Sequence, residues 1–483
     1  MISVEQSIFE FAKQNPQKIA LKSGKTTVSY GELVNHCLDA KKYFEGMPNY
    51  QNGSCVILAA GKQVEFAYAY FGAHLAGLKV APIDPETNPT RFDFIAQTLN
   101  PFVVIGFDKI RGSWVNKSLK DFSFQESGLQ SEVAFPDMNS VADILFTTGT
   151  TGTPKGVPLT FKNEAAAARN INDFIRNKTD DVELLALPIS HSFGLGRVRC
   201  CLSNGQTLIL LGSFVNVKRI YKSFEEDGVT GFTMVPSSWK FLQKMSGNQL
   251  GNYAFQLKYI EMGSAYFSES DKKELASLLP NTRVTMHYGL TEASRSAFME
   301  FHEDANALNS VGKASPNTDI QVFDESGNML PLGEEGEICV KGEHVTQGYL
   351  NHPNNDVFFG NYFRTGDWGA KNSDGYIFLK SRKKELINVG GKKVSPIEVE
   401  DQLVLIPGIA ESACIAIPDP GEVLGEVVKA CLVAEPNAER PTFEEISSAL
   451  SGKLEGYKIP AVYEWVNEIP KTSSGKVQRG LLK

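Results

Sequence analysis

Hydrophobic and polar positions alternate in two distinct textures along this chain. From residue 18 to about 340, short runs rich in β-branched residues recur between longer stretches with helical periodicity. Residues 54–59 read as a buried strand, 65–76 (EFAYAYFGAHLA) as a helix stopped by Gly77, and 80–83 as the next strand. Strand, helix and strand in such close succession predict a βαβ unit and a partly parallel sheet. The same pattern returns at 184–187, at 206–211 and at 231–235, the last with a helix to follow. Residues 142–147 form another apolar strand that runs directly into a Gly/Thr-rich loop. Beyond residue 360 the pattern shifts to short strands and helices at 362–367, 376–379, 394–404 and 411–417, as in a small α+β module. The charged stretch SRKKE at 381–385 is the best candidate linker, and the chain contains no internal repeat or low-complexity tract.

Length and composition narrow the class. A chain of 483 residues exceeds one hydrophobic core, and 42% hydrophobic with 22% charged residues is the make-up of a folded globular protein. The net charge of −8 argues against a dedicated nucleic-acid binder, while a few local Lys or Arg residues suffice for an anionic small molecule. Seven scattered cysteines without a Cys-x-x-Cys pair indicate neither a disulfide framework nor a zinc knuckle. With no basic, apolar leader and no run near the roughly 20 residues of a membrane span, the expectation is a cytoplasmic protein. Cys200 and Cys201 read as small buried hydrophobes.

The strongest chemical signal is TTGTTGTPKG at 147–156, which puts three glycines, five threonines and a lysine behind a strand. Backbone N–H groups in such a loop can converge on one centre, hydroxyls add donors, and Lys155 adds charge for phosphate oxygens. It is not a Walker A loop, because Gly156 follows the lysine. No HExxH, GxSxG or GxGxxG context supports a zinc hydrolase, a serine hydrolase or a dinucleotide oxidoreductase.

This loop resembles the signature of the adenylate-forming superfamily, which holds acyl-CoA synthetases, peptide-synthetase adenylation domains and luciferases. The family pattern is usually S-G-T-T-G-x-P-K-G, with Thr148 here in place of the commoner serine. The resemblance continues in order to the end of the chain. It implies that Thr147, Thr148, Gly149, Thr150, Thr151 and Lys155 hold ATP phosphates. In YGLTE at 288–292, it implies that Tyr288 stacks on adenine beside Gly289, Thr291 touches the α-phosphate and Glu292 helps hold Mg²⁺. Gly263, Ser264 and Ala265 correspond to the segment beside adenine and the acyl pocket, and His191, Phe193, Gly194 and His287 to the pocket lining. In YFRTGD at 362–367, Asp367 is the ribose ligand; Arg382 joins it although Ser381 replaces the usual glycine. PKTSSGK at 470–476 provides Lys476 as the adenylation lysine on a mobile domain.

The fold implied is α/β, with a large N-terminal domain (1–383) of βαβ-type subdomains plus a small barrel-like piece. A small mobile α+β lid (384–483) follows, hinged at Lys384, and its rotation exchanges Lys476 for Gly390 and Gly391 at a CoA tunnel. The function implied is an AMP-forming acid–thiol ligase using ATP, Mg²⁺ and CoA on a small-molecule carboxylic acid. Two alternatives stand beside it: loading of a carrier-protein phosphopantetheine, and a non-catalytic ATP or AMP sensor. The segment after His191 lacks the aspartate that would pair with an α-amino group, so an aryl or aliphatic acid is expected over an amino acid.

Overall fold

The strand Cys55–Ala59 is buried at every position, with Val56 and Leu58 facing one core and Ile57 and Ala59 the other. That is the mark of a parallel strand covered on both faces, and its neighbours Lys79–Ile83 and Val103–Ile105 pair with it in parallel. The computed structural model describes residues 1–482 apart from 108–113, 123–132, 148–153, 215, 355, 437 and 472–475. A six-stranded sheet is built around this strand and ends at the antiparallel pair Val141–Thr147 and Lys155–Thr160. The Gly/Thr-rich loop therefore joins a hairpin.

A nine-stranded sheet lies opposite, with Val182–Leu185, Thr207–Leu210, Gly231–Met234, Tyr259–Met262 and Arg283–Tyr288 all parallel in its body. Helices Tyr30–Glu45 and Glu65–Leu75 fill the space between the sheets, and residues of both sheets share one core with them. Glu65–Leu75 is largely apolar all round because it meets protein on every side, all its residues after Glu65 being buried. The expected strands and the βαβ unit thus form, with boundaries shifted by up to four residues. Where the sequence implies a barrel-like piece, a five-stranded antiparallel sheet runs from Thr318 to Arg382.

The stretch 381–385 is more ordered than a linker. Ser381 and Arg382 end a strand, and Lys383–Glu385 forms one 3-10 turn held by the Lys383–Glu337 pair at 3.3 Å. After it come the hairpin Ile387–Val389/Lys392–Val394, helix Pro396–Leu403, and a three-stranded sheet with its own core. All seven cysteines are free and buried. No helix among the described residues is long and apolar enough to cross a membrane.

A buried charge network sets the strand that leads into the loop. His74 lies 2.8 Å from Glu5 and 3.1 Å from Asp143, Tyr70 donates to Asp143 at 2.9 Å, and Arg199 bridges Asp143 to Glu164. Burial alone would depress His74, but its bonds to Asp143 and Glu5 win and raise it to about 10, so it is an imidazolium.

Candidate active site

The parallel strands of both sheets end on the same side of the molecule. Thr147 closes one strand, Gly263–Ala265 follow Met262, Tyr288 closes another, and His191 follows Val182–Leu185. The crevice outside the carboxyl ends of parallel strands is where open α/β sheets bind ligands.

Asp367 and Arg382 face each other across antiparallel strands, which fixes their contact by register. Arg382 Nε is 2.8 Å from Asp367 Oδ1, and the Tyr288 hydroxyl donates to Asp367 Oδ2 at 2.6 Å. Arg382 also donates to the Thr365 carbonyl at 3.0 Å. Burial pushes the Asp367 carboxyl up, against the opposing pull of Arg382. An ionised carboxylate has about four acceptor positions, so two remain for ligand hydroxyls.

Glu292, buried in the YGLTE turn, accepts from the Tyr349 hydroxyl at 2.7 Å, and Lys155 Nζ sits 4.8 Å from the centre of the Tyr349 ring. Thr291 is half-buried on the same turn. Close approach explains Gly289: a Cβ there would lie 2.4 Å from the Arg295 amide nitrogen. Lys476 stands in the open cleft, near enough to Arg382, Asp367, Glu292 and Glu385 to feel all four. Desolvation by the cleft walls lowers its pKa first and Arg382 adds to that, while the three carboxylates oppose. Lys384 is lowered likewise by desolvation, then by Arg382 and by Lys155. Lys155, Arg382, Lys384 and Lys476 thus bring four positive charges around Asp367 and Glu292. Such crowding suits a polyanion, and a polyphosphate ligand would relieve it. Thr148, Gly149, Thr150 and Thr151 lie outside the described residues.

Of the residues expected to line an acid pocket, Phe193 and His287 meet. Phe193 packs edge-on to His287 with ring centres 4.6 Å apart, and His287 lies against Gly263. Gly194 is required by contact with Pro188, whose carbonyl oxygen would be 2.3 Å from a Cβ. Ser264 holds φ +73°, a left-handed backbone at the cleft wall, with Ala265 half-buried beside it. His191 is exposed to the cleft; desolvation lowers its pKa, and Asp84, Arg91 and Lys476 act on it. Gly390 and Gly391 stand apart from this cluster, at an exposed hairpin tip whose backbone bonds to Leu424.

The AMP-binding enzyme family matches residues 8–350, and the C-terminal domain of AMP-binding enzymes matches residues 398–476. The chain belongs to the AMP-binding enzyme family. An oxalate–CoA ligase of Saccharomyces cerevisiae is 28% identical over 88% of this chain and 86% of its own length. A 2-succinylbenzoate–CoA ligase of Staphylococcus aureus is 27% identical over 98% and 99%. Among solved structures, ATP-bound MatB from Rhodopseudomonas palustris superposes with a TM-score of 0.89 at 25% identity, covering 100% of this chain and 98% of that one.

Several residues of this AMP-binding enzyme's cleft escape a motif reading. Tyr349 ties Glu292 to Lys155, and nothing in its neighbourhood marks it. Arg91, in the first turn of helix Pro89–Leu99, donates to the Phe146 carbonyl at 3.3 Å and faces His191. Beneath His287 lies Glu261, buried with Arg295 and Arg197. Glu261 does leave a signal, as a carboxylate inside the buried four-residue strand Tyr259–Met262.

Proposed function

We propose that the protein is an AMP-forming acid–CoA ligase. It joins a carboxylic acid to the AMP portion of ATP with release of pyrophosphate, then passes the acyl group to the thiol of CoA. The observation that carries this reading is Lys476, contributed by the C-terminal end of the chain, standing among Asp367, Arg382 and Glu292. A carboxylate approaching the α-phosphorus meets negative oxygens, and two unit charges at 4 Å repel by about 4 kcal/mol at an effective dielectric near 20. Lys476 offsets that repulsion as the new P–O bond forms.

In this reading Asp367 and Arg382 hold the ribose, with Asp367 oriented by Tyr288. Lys155 and the 147–156 loop grip the leaving phosphates, and Thr291 donates to the α-phosphate. Glu292 fits a magnesium site: it is buried, its one hydroxyl donor leaves acceptor positions over, and magnesium takes one or two carboxylates plus phosphate oxygens. Bound there, the ion would neutralise phosphate charge. The units divide at 383/384 with Lys384 as hinge, and rotation carries Lys476 out and the Gly390–Gly391 hairpin in for the thiol step.

ATP–pyrophosphate exchange across a panel of acids, followed by addition of CoA, tests the reading. Exchange should depend on the acid, and CoA should convert acyl-AMP to thioester. Tight ATP binding with no acid-dependent exchange would instead mark a nucleotide sensor.

A further inference from the structure

The floor of the acid pocket is ionic. Glu261 Oε1 lies 2.7 Å from His287 Nδ1 and 3.1 Å from Arg295 Nε, and its other oxygen lies 3.3 Å from Arg197 Nη1. Arg197 in turn is paired with Glu183, which accepts from the Tyr259 hydroxyl at 2.6 Å. None of the ion-paired side chains is more than 7% exposed. Two arginines balance two carboxylates, and burial keeps His287 neutral, with Glu261 opposing that shift.

The space above this floor is filled. His287 lies so close to Gly263 that a Cβ on that glycine would sit 2.1 Å from Cε1 and 2.2 Å from Nε2. Phe193 covers His287 edge-on, and the Arg295 guanidinium lies 4.8 Å from the Phe193 ring centre. Arg295 is fixed from the other side by donation to the Ser192 and Phe193 carbonyls, at 3.1 and 3.0 Å, and to Ser294 Oγ at 3.0 Å. Ser192, Thr291 and Ser294 are half-buried beside this cluster and line a separate small cavity with Leu145, Leu159 and Ile171.

We infer that this ligase takes short carboxylic acids of about two to four carbons and rejects aryl and longer aliphatic acids, a preference set by His287 and Phe193 over the Glu261 cluster. The inference rests on the ligase reading above and names the acid of that same site. A longer tail would have to displace His287 and strip a partner from a buried ion, which costs more than burying extra methylenes returns. The aryl-or-aliphatic expectation drawn from the segment after His191 thus narrows to its short end.

The test measures AMP release by the full chain with ATP, CoA and either acetate, propionate, lactate and malonate or hexanoate, benzoate and cinnamate. The best short acid should exceed the best of the second set in kcat/KM by about 100-fold or more. His287→Ala opens the space beside Gly263 and leaves Glu261 both arginines, so it should shrink that ratio by about tenfold or more. Use of hexanoate or benzoate by the unaltered enzyme within about tenfold of the best short acid overturns the inference. Failure of every acid to release AMP overturns the ligase reading itself, and the inference with it. Should His287→Ala not fold, acyl-sulfamoyl adenosines decide on the unaltered enzyme: the acetyl analogue should bind and the hexanoyl analogue should not, and equal binding overturns the proposal.

Discussion

Lys476 and Lys155 carry the same charge in different company, and they should fail differently. Lys476 meets the attacking carboxylate and the α-phosphate only as adenylation proceeds, so Lys476→Ala should slow acyl-AMP formation by on the order of 10²–10³. ATP binding should change little, and thioester formation from supplied acyl-AMP should survive. Lys155, held over Tyr349, is one phosphate contact among several, so Lys155→Ala should cost less. Pyrophosphate exchange beside thioester formation from synthetic acyl-AMP separates the two; equal loss of both activities in Lys476→Ala would falsify the two-conformation reading. Tyr288, Glu292 and Asp367 were legible as residues because each sits in a short motif that survives intact, and Arg382 was legible despite Ser381 in its motif. Glu261, Arg295 and Arg197 were not, because their partners lie on separate elements brought together only by sheet order. A lone charge in an apolar strand announces that a partner exists without saying which.

At the scale of elements, the 3-10 turn Lys383–Glu385 joins the five-stranded sheet to the C-terminal elements. Lys384→Pro fixes φ at the proposed pivot, so adenylation in the present arrangement should persist while thioester formation falls by on the order of 10². Single-turnover assays of each half-reaction check this, and equal loss of both would remove the pivot from Lys384. Strands with two buried faces and the largely apolar helix Glu65–Leu75 could be read directly, since their periodicity is a local property. The ordered turn at 383–385 could not. Its charges read as solvated, and what orders it is the long-range pairing of Lys383 with Glu337.

For the whole molecule, the present arrangement brings Asp401 of the C-terminal helix Pro396–Leu403 against Tyr266, just past the Gly263–Ala265 segment. Burial raises the Asp401 carboxyl to about 6, with Glu400 adding and Tyr266 and Lys272 opposing. The folded chain therefore keeps this proton to higher pH than the unfolded chain. The resulting stability is present at low pH and is lost as pH rises from about 4 through 6. Relative to Asp401→Asn, which stays neutral throughout, the unaltered protein should lose roughly 2 °C in Tm between pH 4.5 and 7. A constant difference in Tm across that range would sink the assignment. The paired-charge floor beneath His287 also bears on how this enzyme's specificity can change over generations. Replacing one arginine or carboxylate at a time passes through an intermediate with an uncompensated buried ion, a loss of about 3–5 kcal/mol against a total stability of about 5–15 kcal/mol. Descendants with a deep apolar pocket would have to exchange several of these residues together, so single mutations at the charged positions would lower stability before they widened the proposed acid range.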